Sequence, residues 1–135
     1  MALIQWSDNF SVHVAEMDRQ HQKLIALIND LNDAMSKGKG KEIVGKTIDG
    51  LLNYTRTHFT EEEKLFSQFN YPDADSQKNM HKKFINKVVD FKQQLDSGKI
   101  GLSIVVIDFL SDWLKNHIQL EDKKYGPFLN QQGVK

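Results

Sequence analysis

Four stretches of this sequence carry apolar residues at steps of three and four, and this spacing constrains the fold more than any other feature. The step matches the period of an α-helix, so each stretch predicts a helix with one apolar face. We expect helices at about residues 18–37, 41–68, 75–96 and 102–123, separated by the turn-forming stretches "SKGKG", "NYPDADS" and "DSGKIG". Four helices with short connections predict an all-α, up-down-up-down four-helix bundle, with one domain over residues 1–135.

The first 17 residues do not follow the helical step. Phe10, Val12 and Val14 alternate with polar residues, which predicts an extended N-terminal arm that packs on the bundle by its apolar side. We expect Asp18 to cap the first helix, and the last helix to end near the "YGP" of residues 125–127.

Charge and composition exclude several classes of protein. The 18 basic and 18 acidic residues balance, which argues against binding to nucleic acid or to a membrane surface. The absence of cysteine excludes disulfides and zinc–thiolate sites. No apolar run approaches the roughly 20 residues that span a bilayer, and the N-terminus lacks the features of a signal peptide. We therefore expect a cytoplasmic, monomeric protein.

Histidines occupy the apolar faces of all four predicted helices. A single histidine on such a face is more often a hydrogen-bonded core residue than a ligand. Four of them, on faces that meet in the bundle interior, are harder to explain in that way, because burying so much unpaired polar surface costs several kcal/mol. A metal would compensate that cost. The four residues are His21, His58, His81 and His117.

Two carboxylates accompany these histidines. Glu62 lies four residues after His58 and faces the same way, whereas Glu61 and Glu63 of the same charged run fit a solvated face. Asp122 lies five residues after His117, which is about 140° around an ideal helix, so spacing alone does not select it.

Imidazole and carboxylate together in a bundle core suit iron, manganese or zinc. Several histidines and two carboxylates suit a pair of metals better than one. Two ferrous ions with two carboxylates and a bridging hydroxide leave about one positive charge, which a buried site tolerates. One metal with the same ligands would be over-neutralised.

Together these residues resemble one known family. The tryptophan at position 6, "MDRQHQKLIALINDL" at 17–31, "HFTEEE" at 58–63, "HKKF" at 81–84 and "WLKNHIQLEDKKYGP" at 113–127 resemble the hemerythrins, in their single-domain bacterial form, over essentially the whole chain. The resemblance implies a four-helix bundle with a non-heme di-iron centre, bridged by an oxo or hydroxo group, that binds O₂ reversibly.

The resemblance also implies a role for each candidate ligand. Glu62 and Asp122 would bridge the two irons. His21 and His58 would hold the iron with an open position for O₂, and His81 and His117 would hold the other. The apolar O₂ pocket would be lined by Leu24, Phe59, Trp113, Leu114 and Ile118.

Two positions depart from the family pattern. The iron held by His81 and His117 normally has a third histidine one turn before His81, and Gln77 stands there. His13 replaces a small residue of the arm, but the alternation turns it away from the apolar side, so we do not expect it to replace the missing ligand.

Three functions remain open on the sequence. The first is an O₂ carrier or sensor that also meets small anions and has at most a weak peroxidase-type activity. The second is a di-iron peroxidase or nitric-oxide-reducing enzyme, which the missing histidine favours. The third is a metal-poor relative acting as an iron store or interaction module. Reversible release of O₂ separates the first two, and iron content separates the third.

Overall fold

The computed structural model describes residues 3–38, 40–98 and 103–135, and these residues contain helices and no strands. The helices are α1 (Ala15–Ser36), α2 (Lys41–Phe69), α3 (Ala74–Asp96), α4 (Ser103–Asn116) and α5 (Lys123–Gln131). A π-helical turn, His117–Asp122, joins α4 directly to α5. A short 3₁₀ turn, Asp8–Phe10, lies in the arm.

The bundle forms because each helix buries the face that its apolar period defines. Helix α1 packs against α2 and α4, and α2 also packs against α3. Aromatic rings join the remaining pair, since Phe84 of α3 stacks on Trp113 of α4 with centroids 4.1 Å apart. This four-helix bundle confirms the predicted all-α fold. No helix of the described residues is long and apolar enough to cross a membrane.

The arm packs on the bundle as its alternation predicts. Phe10, Val12 and Val14 are buried, and His13 between them is exposed with a left-handed backbone φ of 61°. Helix α1 begins at Ala15 rather than at residue 18, so the expected capping role of Asp18 is wrong. Its carboxylate instead accepts hydrogen bonds from the Ser11 hydroxyl at 2.6 Å and the Val12 amide at 2.8 Å, which fixes the arm.

The last helix runs further than expected. It continues through Pro127 to Gln131 instead of ending near residue 123. Gly126 lies where the arm crosses this helix, and a Cβ added there would stand 2.2 Å from the Val12 carbonyl oxygen. The absence of a side chain at Gly126 therefore allows the arm to lie directly on α5.

Candidate metal centre

All four sides of the bundle contribute buried polar side chains to one cluster. His21 comes from α1, His58 and Glu62 from α2, His81 from α3, and His117 and Asp122 from the π-helical turn; none is more than 5% exposed. Two groups of potential metal ligands result, each with its ligand atoms within 4.8 Å of one another. The first group is His21, His58, Glu62 and Asp122, and the second is His81, His117 and Asp122.

Asp122 belongs to both groups because its two oxygen atoms face different histidines. Its Oδ2 lies 3.1 Å from His21 Nε2, and its Oδ1 lies 3.2 Å from His117 Nε2. A carboxylate placed in this way can bind one metal through each oxygen.

Glu62 also reaches both groups. Its Oε1 lies 3.2 Å from His58 Nε2 and 3.3 Å from His81 Nε2, and its Oε2 lies 3.5 Å from His21 Nε2. The two carboxylates therefore stand between the two sets of histidines.

The π-helical turn explains how Asp122 reaches the site. Its hydrogen bonds join residues five apart rather than four, so the residue five positions on lies close above the first. His117 and Asp122 are the first and last residues of this turn. An ideal α-helix would separate their directions by about 140°; the wider turn brings both side chains into the bundle interior.

Hydrogen bonds on the outer nitrogens orient two of the histidines. His58 Nδ1 lies 2.6 Å from Gln20 Oε1, and His81 Nδ1 lies 2.9 Å from Glu63 Oε2. Because both partners are acceptors, each Nδ1 carries a proton, and each Nε2 faces the carboxylates of the cluster as the nitrogen that would bind a metal. Glu63, which was expected on a solvated face, is partly exposed at 31%, and its carboxylate also supports a candidate ligand.

A buried tyrosine hydroxyl fixes the position of the Glu62 carboxylate. The Tyr125 hydroxyl donates a hydrogen bond to Glu62 Oε2 at 2.6 Å. Burial raises the pKa of Tyr125 well above its usual value, as does the nearby charge of Glu62. Tyr125 therefore remains a protonated donor that fixes the carboxylate.

The histidines and carboxylates of the cluster shift the pKa values of several of its members. Burial alone would lower the pKa of His21, but the carboxylates of Asp122 and Glu62 outweigh it and raise that pKa to about 9. Burial and the charge of Glu62 act to raise the pKa of Asp122, yet His117 and His21 bring it to about 2. Burial likewise raises the pKa of Glu62, and His58 holds it well below its usual range. Metal binding would displace the second proton of a charged histidine, as imidazole ligands must be neutral.

Buried polar atoms show that the residues fit a metal. Among the described residues, six buried side-chain atoms have no hydrogen bond of normal geometry, although the Nε2 atoms of the three histidines lie close to carboxylate oxygens: both ring nitrogens of His21, Nε2 of His81 and of His117, Oε1 of Glu62, and Oε1 of Gln77. Leaving buried polar atoms unpaired costs about 1–3 kcal/mol each. Nitrogen and oxygen donors of this kind are ligands for iron and similar metals, so a bound pair would satisfy most of them.

Gln77 lies inside the cluster. It is 1% exposed, and its amide Nε2 donates a hydrogen bond to Asp122 Oδ1 at 3.0 Å. Since a carboxylate oxygen only accepts, the amide nitrogen must be the atom that faces Asp122. The amide oxygen is left buried without a partner.

The expected pocket residues divide into two sets. Leu24, Leu114 and Ile118 are buried in the same core. Phe59 stacks on His81 with centroids 3.7 Å apart, and Trp113 stacks on His117 at 4.3 Å. These two rings therefore cover the histidines of the second group.

Sequence reasoning missed three residues that support the cluster. Gln20 and Glu63 stand directly beside a candidate ligand in the chain, and only that adjacency could have suggested them. The sequence did not suggest Tyr125 as a supporting residue, because the last helix was expected to end near residues 123–127. His13 is exposed and lies outside both groups of potential ligands.

Comparisons with known proteins agree with this geometry. Residues 12–129 match the family described as the hemerythrin HHE cation binding domain. A bacteriohemerythrin of Methylococcus capsulatus is 34% identical over 96% of this chain and 99% of its own length. One from Stenotrophomonas maltophilia is 33% identical over 93% of this chain and 80% of its own length. The crystal structure of a wild-type hemerythrin aligns with a TM-score of 0.88 at 31% identity, covering 93% of this chain and 97% of that one.

Proposed function

This chain belongs to the hemerythrin family, and we propose from this premise that it is a non-heme di-iron protein that binds O₂ reversibly, for storage, delivery or sensing. The observation that carries the proposal is the pair of buried ligand groups that share Asp122. A site of this kind suits two metals held side by side. When bound, a ferrous pair supplies the electrons for reversible O₂ binding.

The two ligand groups take different roles in this proposal. His21 and His58 would hold the iron that binds O₂, while His81 and His117 would hold the second iron. Glu62 and Asp122 would serve both irons, which the short distances from their oxygens to histidines of both groups support. Tyr125 and Gln77 orient these two carboxylates through hydrogen bonds.

Apolar side chains keep water from the open position. Leu24, Leu114 and Ile118 are at most 4% exposed, and in this proposal they line the open position. A dry pocket slows the access of water and anions, which promote oxidation of the ferrous pair. Reversible binding depends on this exclusion.

A di-iron peroxidase or nitric-oxide-reducing enzyme is the second candidate, and Gln77 is the observation that favours it. The amide nitrogen of Gln77 is engaged with Asp122, and an amide oxygen is a weaker donor to iron than imidazole. The second iron would therefore be one strong ligand short. A water or a small anion would fill that position, and peroxide could reach it.

Metal analysis and one cycle of gas exchange test the proposal. We expect two irons per chain after reconstitution, and an absorption change on adding O₂ to the reduced protein that vacuum reverses. One iron or none would contradict the di-iron site. A change that vacuum cannot reverse would favour the enzyme.

A further inference from the structure

A groove of about 450 Å³ runs along the surface between α2 and α3, directly outside the second ligand group. Its floor includes Phe59, His81 and Glu63, and Arg56, Lys78 and Lys82 stand along its rim. His81 therefore separates the groove from the metal centre by a single imidazole ring, with Nδ1 on the Glu63 side and Nε2 on the Glu62 side.

The rim of this groove carries uncompensated positive charge. Arg56, Lys78 and Lys82 are exposed, and none has an ion-pair partner within 4.0 Å among the described residues. The one acidic residue of the lining, Glu63, is engaged with His81. This excess is local, because the whole chain has a formal net charge of zero.

A second groove between the same helices shows that such an excess is not a general feature of this surface. That groove, of about 300 Å³, is lined by two lysines and three acidic residues. Lys92 Nζ lies 3.0 Å from Asp49, and Lys46 Nζ lies 3.5 Å from Glu42. Its cations are paired, whereas those beside His81 are available to an anion.

We propose that the groove over His81 binds a small anionic reductant, a reduced flavin mononucleotide or a molecule of the same chemistry, which returns the oxidised metal pair to its ferrous form. The groove is open to solvent, so a ligand would lie along the surface rather than in an enclosed cleft. The three cations suit a phosphate, while Ile85 and the lysine stems offer apolar contact to a flat ring. The inference rests on the proposed function, because only a centre that oxidises needs a reductant.

The electrons and protons of this step balance. The reduced flavin loses two electrons and two protons and becomes the oxidised flavin. A bound ferric pair would take up these two electrons, one for each ion. The His81 ring would lie on the path of the electrons, and the protons would pass to water at the open side of the groove.

Charge-reversed variants test the site. We expect saturable binding of flavin mononucleotide to the wild-type protein, with and without iron, measured by flavin fluorescence. The double variant Lys78→Glu/Lys82→Glu should weaken this binding roughly tenfold or more, because it replaces attraction for the phosphate by repulsion. The control Lys23→Glu/Lys83→Glu makes the same change of charge at exposed lysines outside the groove and should bind as the wild type does.

Reduction rates test the role of the site. The groove variant should slow reduction of the oxidised protein by reduced flavin mononucleotide in proportion to its loss of binding. Reduced lumiflavin, which has the same ring without the phosphate, should reduce both double variants and the wild type at one rate. A slower rate with lumiflavin in the groove variant would indicate damage to the centre and overturn the assignment.

Other results would also overturn the proposal. Absence of saturable flavin binding, or equal weakening in both double variants, would exclude a phosphate site in the groove. If the groove variant bound flavin normally but was reduced slowly by an acidic electron-transfer protein, the occupant would be a protein instead. Because flavin binding to the metal-free protein does not need iron, a failure of reversible O₂ binding would count against the proposed function alone.

Discussion

The two halves of the metal centre share their carboxylates but differ in the support that each receives. In the half around His21 and His58, four potential ligands lie together, and His58 is oriented by the neutral amide of Gln20. In the half around His81 and His117, three potential ligands lie together, and His81 is oriented by a carboxylate, Glu63.

The difference is that the histidines of the second half, which lies beside Gln77, are more firmly supported. A charged acceptor on the outer nitrogen makes a histidine a stronger ligand than a neutral acceptor does. Stacked rings also hold both histidines of this half in place, Phe59 on His81 and Trp113 on His117. The two histidines of the second half are thus held in place by stacked rings and by the charged partner of His81, whereas His58 of the first half is held by a neutral amide.

Removing a carboxylate that both halves share should have the largest effect. We expect Glu62→Ala to lose both irons, since its oxygens lie within 3.5 Å of histidines from each half. Iron per chain after reconstitution and gel filtration measures this. Glu61→Ala removes a more exposed carboxylate of the same helix and should retain both irons. A full iron pair in Glu62→Ala would show that Glu62 does not bridge.

A histidine at position 77 should give the second half a third imidazole and strengthen its hold on iron. Wild-type protein should release iron to a chelator in two phases, the faster from the half that contains Gln77. Gln77→His should slow that faster phase by roughly a hundredfold and also slow autoxidation, because it adds a strong donor. Gln77→Leu, which adds none, should keep the fast phase. Unchanged rates in Gln77→His would show that this position does not limit the site.

Substitution of the residues that accept a hydrogen bond from histidine Nδ1 should further test the difference in iron affinity between the two halves. Glu63→Ala should lower iron affinity in the second half by roughly tenfold, since His81 would lose a charged acceptor. Gln20→Ala should have a smaller effect on the first half, because a neutral amide contributes less. Chelator competition measures both affinities. A larger loss in Gln20→Ala would reverse our interpretation of the two halves.

A substitution in the apolar lining of the proposed O₂ pocket should have the smallest effect on iron content. Leu114→Ala should retain both irons but speed autoxidation severalfold, because the cavity admits water to the open position of the first half. The cavity should lower the free energy of unfolding by about 2–4 kcal/mol. Leu110→Ala makes a similar cavity one turn earlier in α4 and should leave autoxidation unchanged. Equal rates in the two variants would place Leu114 outside the O₂ path.

The sequence predicts the ligands that follow the ordinary helical step. His21, His58, His81 and His117 were identified because each lies on an apolar stripe, and Glu62 because it follows His58 by one turn. These positions depend on which face of a helix is buried, and a buried face appears in the sequence as apolar residues at helical spacing. The prediction that they bind iron in two named groups stays a prediction, supported by their common burial.

Other residues of the site cannot be identified from helical spacing. Asp122 came from family resemblance, since a constant period of 3.6 residues points it away from His117. The π-helical turn that corrects its direction is a local change of hydrogen bonding that the stripe pattern does not reveal. Glu63 was assigned to the solvent for a similar reason, because its bond to His81 crosses from α2 to α3.

The sequence by itself determined the bundle, its four inward histidines and the presence of an amide at position 77. Only the tertiary structure decided that Gln77 donates to Asp122, that Tyr125 holds Glu62, and that unpaired cations gather outside His81. The physical reason is the range of each effect. Burial of a helix face is encoded residue by residue along one helix, whereas a hydrogen bond or a charged groove depends on how two helices are placed against each other.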